Sequence, residues 1–136
     1  MSDGKVIEAK VWETGASRYS VEVGVAGHAL RADEPIEDGG GDTGPSPHAT
    51  LLAALGACTA ITVRWYAERE KWPLDKVSVE LTYHKEGRTD HFSKKIKLEG
   101  EGLTEAQRQK LIEVAAKCPV QRTLEGTPII STLTTD

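Results

Sequence analysis

The sequence predicts an α+β protein in the order βββ-α-ββ-α-β, with a long central helix against largely antiparallel sheet. Three observations predict it. Apolar residues alternate with polar ones in two separate stretches, Tyr19, Val21, Val23, Val25 and later Val77, Val79, Leu81, Tyr83, the period of half-buried strands. Between them an apolar stretch of helical length opens at Ser46-Pro47 and stops at Trp72-Pro73. Strands arrive in runs rather than in strict alternation with helices, which favours antiparallel pairing.

Taken in order, Val6 to Trp12 is the first strand, closed by Thr14-Gly15-Ala16-Ser17, and Tyr19 to Val25 is the second. Ala26-Gly27 turns into a third, His28 to Ala32, giving a meander. Asp33 to Pro45 is rich in glycine and acids and reads as a flexible loop. Ser46 caps the central helix, with Pro47 at the first helical position, where its missing N–H costs nothing. The helix is expected to run to about Lys71. Leu51, Leu55, Cys58, Thr62 and Trp65 share one face, and the opposite side is apolar from Leu52 to Val63, as in a helix surrounded by protein. Gly56 costs about 1 kcal/mol there relative to alanine, which predicts a second backbone crossing close by.

Phe92 to Glu99 returns antiparallel to the Val77 strand through a turn at Glu86-Gly87-Arg88-Thr89-Asp90. Thr104 and Gln107 form a capping box for a second helix ending near Lys117, with Leu111, Ile112, Val114 and Ala115 on its buried side. Cys118-Pro119 starts a short turn closed by Glu125-Gly126, and Pro128 to Leu133 reads as a final strand.

A chain of 136 residues fits one domain, 1–136, with a real core. A net charge of -4 with no basic face excludes a general nucleic-acid binder. The longest apolar run, Leu51 to Val63, is shorter than the roughly 20 residues that cross a bilayer. Met1-Ser2-Asp3-Gly4-Lys5 has no apolar signal region, so a cytoplasmic protein without a membrane partner is expected.

The chemistry concentrates in the two cysteines. Cys58 lies mid-helix, and Cys118 stands where it can cap a helix begun by Pro119. Their separation rules out a local Cys-x-x-Cys redox loop or paired zinc knuckle. Three readings remain: buried structural thiols, a structural disulfide, or a redox pair assembled by the fold. A reducing cytosol disfavours the second. A reactive Cys58 needs a cation supplied from elsewhere in the fold, because mid-helix placement gives no dipole. His28, His48, His84 and His91 lack the spacing of a metal-binding helix, and no metal or cofactor is expected. Gly39-Gly40-Gly41 lacks the lysine of a phosphate loop, and Ser46 lacks a nucleophile elbow. A hydrolase using Cys58 would need a positioned base, and no His–Asp pair recommends one.

The stretch from Gly44-Pro45-Ser46-Pro47 through Leu51-Leu52-Ala53-Ala54-Leu55-Gly56-Ala57-Cys58-Thr59, with Cys118-Pro119 later, closely resembles the OsmC/Ohr family of osmotically inducible and organic hydroperoxide resistance proteins. The resemblance covers essentially the whole chain. It implies an intertwined homodimer and a thiol peroxidase acting on organic hydroperoxides, reduced by a dithiol such as a dihydrolipoyl group. Carried over by position, Cys58 matches the peroxidatic cysteine, Cys118 the resolving one, and Arg18 the arginine that stabilises the thiolate. One departure stands out: the family's glutamate at the start of the central helix is replaced by His48 and Ala49. A weakly catalytic binding or redox protein on the same fold is the alternative that this departure suggests.

Overall fold

In the computed structural model, residues 4–135 are described; Met1-Ser2-Asp3, on which the reading of the N-terminus partly rests, lie outside them. The chain divides into two compact units, Met1–Leu51 and Leu52–Asp136.

The first unit is a three-stranded antiparallel meander of β1 (Ala9–Glu13), β2 (Val21–Val25) and β3 (His28–Ala32). β1 starts three residues later than expected, since only Ala9 onward pairs with β2, Ala9 opposite Val25. The β2–β3 turn places Ala26 and Gly27 at positive φ, 50° and 82°, as a two-residue hairpin with right-handed twist requires.

The stretch after β3 corrects the expectation of a flexible loop. It holds a 3₁₀ turn, Ile36–Asp38, and is gathered around the buried carboxylate of Asp33. That carboxylate accepts from Ser17 Oγ at 2.7 Å, Thr43 Oγ1 at 2.7 Å, and the N–H groups of Glu34 (2.7 Å), Thr43 (3.1 Å) and Gly41 (3.3 Å). The glycines serve packing rather than looseness: a Cβ at Gly40 would strike the Glu34 carbonyl.

α1 (Pro47–Arg69) starts as read, with Ser46 Oγ accepting from the Ala49 N–H at 3.2 Å. It runs on into the second unit, where a β4–β5 hairpin (Lys76–Glu86, Thr89–Glu99) pairs in register from Lys76–Glu99 to Glu86–Thr89. α2 (Glu105–Ala115) carries both halves of the capping box at Thr104 and Gln107. The core gathers Val63 and Ala67 of α1 with Leu74, Leu103, Leu111 and Ala115. Among the described residues α1 alone is long and apolar enough to cross a bilayer, which the shorter uninterrupted run did not suggest. A core helix meets the same measure, and Val63 and Ala67 are fully buried.

Two further expectations change. The crossing at Gly56 is a side chain: a Cβ there would lie 2.6 Å from Leu81 Cδ1, so α1 packs directly on the hairpin. The last strand is absent among the described residues. After α3 (Pro119–Glu125) the chain from 127 to 135 forms no ladder, with Ile129, Ile130 and Leu133 exposed. A strand exists only through a partner's hydrogen bonds, and composition cannot supply one. The order is therefore βββ-α-ββ-α-α, still α+β with antiparallel sheets.

Candidate functional site: a dithiol at a helix start

The second unit brings Cys58 and Cys118 together, and the two cysteines approach to 3.7 Å. Helix periodicity and helix capping do this jointly. Cys58 stands one residue before Thr59 and four before Thr62, on the buried side of α1. Cys118 is the N-cap of α3, extended at φ -64°, ψ 149°, with Pro119 following at the first helical position. Both thiols are free, with Cys118 fully buried and Cys58 partly open.

The donors around them are few. The Val120 N–H, at the start of α3, donates to Cys58 Sγ at 3.5 Å, and Thr62 Oγ1 stands 4.0 Å from the same sulfur. Thr59 Oγ1 lies 3.5 Å from Cys118 Sγ. Burial pushes the Cys58 thiol up, and the Cys118 sulfur beside it adds to this against the pull of Val120 and Thr62. Burial would push Cys118 up as well. It is outweighed by the Thr59 hydroxyl, a weak pull from the Gln121 N–H that falls short of a capping bond, the Cys58 thiol and the charge of Lys94, so Cys118 ends below the usual thiol range. Their surroundings thus push the two thiols apart, Cys58 up and Cys118 down, with the more readily lost proton on Cys118.

Lys94, on β5, is the cation that sequence reasoning missed. Its ammonium donates to Thr59 Oγ1 at 2.9 Å and to the Ala115 carbonyl at 2.8 Å. The signal was strand parity: Lys94 lies on the same face of β5 as Phe92, Ile96 and Leu98. Arg18 lies in the first unit, exposed, with its guanidinium 5.6 Å from the Tyr19 ring centroid. Arg31 in the same unit pairs with Glu22 at 3.3 Å.

The histidines are less scattered than their spacing suggests. Strand pairing sets His84 opposite His91 with their rings stacked at 4.9 Å, and their donor atoms lie within 4.8 Å of Glu86 and of each other. All three side chains are exposed at the hairpin end, and among the described residues no hydrogen bond from a neighbouring group fixes either ring, unlike the rings of a built metal site.

Residues 39–132 match the family of OsmC-like proteins. The chain belongs to the OsmC-like family. Its fold is shared by solved structures of low sequence identity. An OsmC-like protein from Mycoplasma pneumoniae superposes with a TM-score of 0.76 at 19% identity, covering 90% of this chain and 89% of that one. An organic hydroperoxide resistance protein OsmC from Legionella pneumophila gives 0.64 at 21%, with 92% and 93% covered. One from Elizabethkingia anophelis, also named for organic hydroperoxide resistance, gives 0.68 at 20%, with 93% and 92% covered. At these identities the likeness is one of fold. No curated protein matches the chain in sequence.

Proposed function

We propose that this OsmC-like chain, one domain over 1–136, is a thiol-dependent peroxidase that reduces organic hydroperoxides through Cys58 and Cys118. The observation that carries the reading is the meeting of one accessible and one buried sulfur at 3.7 Å. Structural thiols need no such company, whereas a redox pair needs both reach and a partner in waiting.

In the proposed cycle Cys58 loses its proton to solvent, and its thiolate, facing the Val120 N–H, attacks the distal oxygen of ROOH. The O–O bond breaks, the leaving alkoxide takes a proton to become ROH, and Cys58 is left as sulfenic acid. The Cys118 thiol condenses with it, forming the disulfide and releasing water. A dithiol such as a dihydrolipoyl group then reduces the disulfide by exchange. Apolar residues near Cys58 in α1, Leu55 among them, favour an organic R group over hydrogen peroxide. By family resemblance Arg18 supplies a guanidinium to the Cys58 thiolate and the peroxide oxygen.

The working form is proposed as a homodimer in the cytoplasm. Ala54, Ala57, Ile61 and Trp65 form an exposed stripe on α1 at helical spacing, with Ile61 60% and Trp65 50% exposed. A large apolar stripe on the central helix fits burial against a second copy. Exchange with a cellular dithiol fits a reducing compartment.

A weakly catalytic reading rests on the start of α1, whose first turn holds no acidic residue. Stopped-flow consumption of cumene hydroperoxide and hydrogen peroxide with dihydrolipoamide separates the two. Fast turnover with a clear preference for cumene hydroperoxide supports the peroxidase. Disulfide chemistry without turnover supports the alternative.

A further inference from the structure

Lys94 presents a charge problem. Its half-buried ammonium donates to a hydroxyl and a backbone carbonyl, and among the described residues it pairs with no carboxylate. Ala115 is the last residue of α2, so its carbonyl offers the negative end of that helix, about half a charge. A half-buried cation needs more than this. The other groups facing the same point are Thr59, Cys118 and Cys58, and of these only a sulfur can carry a full negative charge.

Thr59 carries one proton and faces three partners. Its Oγ1 lies 2.9 Å from the Leu55 carbonyl, 2.9 Å from Lys94 Nζ and 3.5 Å from Cys118 Sγ. Lys94 can only donate, so the Thr59 proton goes either to Leu55 or to Cys118. While Cys118 is a thiol or half of a disulfide, the proton stays with the carbonyl. A Cys118 thiolate draws it over, and the Lys94 hydrogen bond, by polarising the hydroxyl, strengthens that donation.

Resting on the dithiol cycle above, we propose that Lys94 is a positioning residue for its reductive half, holding Cys118 through Thr59 as the thiolate that leaves when a dithiol attacks Cys58. Only Cys58 is open to a reagent, since Cys118 is 0% exposed. The incoming thiolate forms a bond to Cys58 Sγ, and the Cys58–Cys118 bond breaks with its electron pair passing to Cys118 Sγ. The reductant's second thiol, losing its proton to solvent or to Cys58, displaces Cys58 and closes the reductant's own disulfide. Two electrons pass from dithiol to protein. In the disulfide both sulfurs are neutral and Lys94 faces no anion. Reduction supplies one, so the cation favours both the rate and the extent of reduction. A thiol of lower pKa leaves faster.

The test needs no peroxide. Full-length wild type, Lys94→Met, Lys94→Arg and Thr59→Val are oxidised with diamide and then reduced by dithiothreitol in stopped flow. Equilibrium in dithiothreitol redox buffers is read by thiol counting, and Cys118 is titrated by thiolate absorbance on a Cys58→Ser background. The expectation is that Lys94→Met slows reduction about tenfold and lowers the equilibrium constant by a similar factor, about 30 mV. Cys118 should titrate 1–3 units higher, the range for losing a nearby opposite charge. Lys94→Arg should recover most of the rate, and Thr59→Val should slow reduction while leaving the charge in place. Should Lys94→Met not fold, Thr59→Val and Lys94→Arg carry the test. Reduction at the wild-type rate in Lys94→Met or in Thr59→Val overturns the proposal, as does Lys94→Arg behaving like Lys94→Met, which would make Lys94 a cap for α2 and nothing more. If wild type forms the disulfide and responds to these substitutions yet consumes no hydroperoxide, the peroxidase reading falls and this one stands.

Discussion

Asp33 in the first unit and Cys118, beside the partly open Cys58, in the second are both buried acids, and the fold treats them in opposite ways. The Asp33 carboxylate receives five hydrogen bonds of 2.7 to 3.3 Å. Its burial would raise its pKa, but Ser17, Thr43 and two backbone N–H groups outweigh this and hold it well below the usual carboxylate range. It is a settled anion, and the loop is built on it. The two sulfurs receive contacts of 3.5 and 4.0 Å, and their pKa values are pushed apart. A charge with all its hydrogen bonds made gives architecture, and a pair with few gives reactivity.

The largest expected effect falls on the pair. Cys58→Ser should abolish peroxide consumption. Cys118→Ser should keep the first oxidation fast and stop turnover, with sulfenic acid accumulating at Cys58 and trapped by dimedone. Equal loss of the first step in both variants would break the division of roles.

Asp33→Ala should be the more damaging change for folding, since it leaves the Ser17 and Thr43 hydroxyls and several N–H groups without their acceptor. The pH sign is fixed by the direction of the shift. A carboxylate depressed in the folded state stabilises above its unfolded value of about 3.9, and that contribution is lost as pH falls below it. Wild type should therefore lose melting temperature on acidification below about pH 4 more steeply than Asp33→Asn. Parallel slopes would mean that Asp33 is no more than one carboxylate among many.

Arg18→Ala probes whether the Cys58 thiolate borrows a charge from the first unit. Alkylation of Cys58 should shift to higher pH, by 1–3 units for a charge within about 4–6 Å. An unchanged profile transfers the electrostatics to Lys94 and the α3 start alone.

The smallest effect is expected at Gly56. Alanine gains about 1 kcal/mol of helix propensity but meets Leu81 Cδ1 at 2.6 Å, the end of a flexible side chain that can turn aside. Gly56→Ala should lie within about 1 kcal/mol of wild type by urea unfolding. Gly56→Leu, with no such room, should destabilise clearly.

Local signals carried much of this into view. Capping chemistry at Ser46-Pro47, Thr104–Gln107 and Cys118-Pro119 marks the helix starts to the residue, because those rules act over three or four positions. Strand alternation did the same for the hairpin. What stayed hidden depends on partners distant in sequence. The glycine-rich loop read as loose because nothing local announces that Asp33 is reached by Ser17 and Thr43. Pro128 to Leu133 has the composition of a strand and lacks a strand beside it among the described residues. Gly56 signalled close packing without saying that Leu81 provides it. The cysteines stood out in the sequence itself, while their division of roles came only from the resemblance; Lys94 went unremarked, although parity separates it from Lys95 and Lys97.

Cys58 and Cys118 are proposed to act as one redox centre. Intact-protein mass spectrometry after a single equivalent of cumene hydroperoxide tests it most directly. The account predicts a product lighter than the reduced protein by two hydrogens, with both thiols closed to alkylation and a Cys58–Cys118 disulfide in the peptide map. A product heavier by oxygen at Cys58 with Cys118 still free to alkylate after unfolding would contradict it.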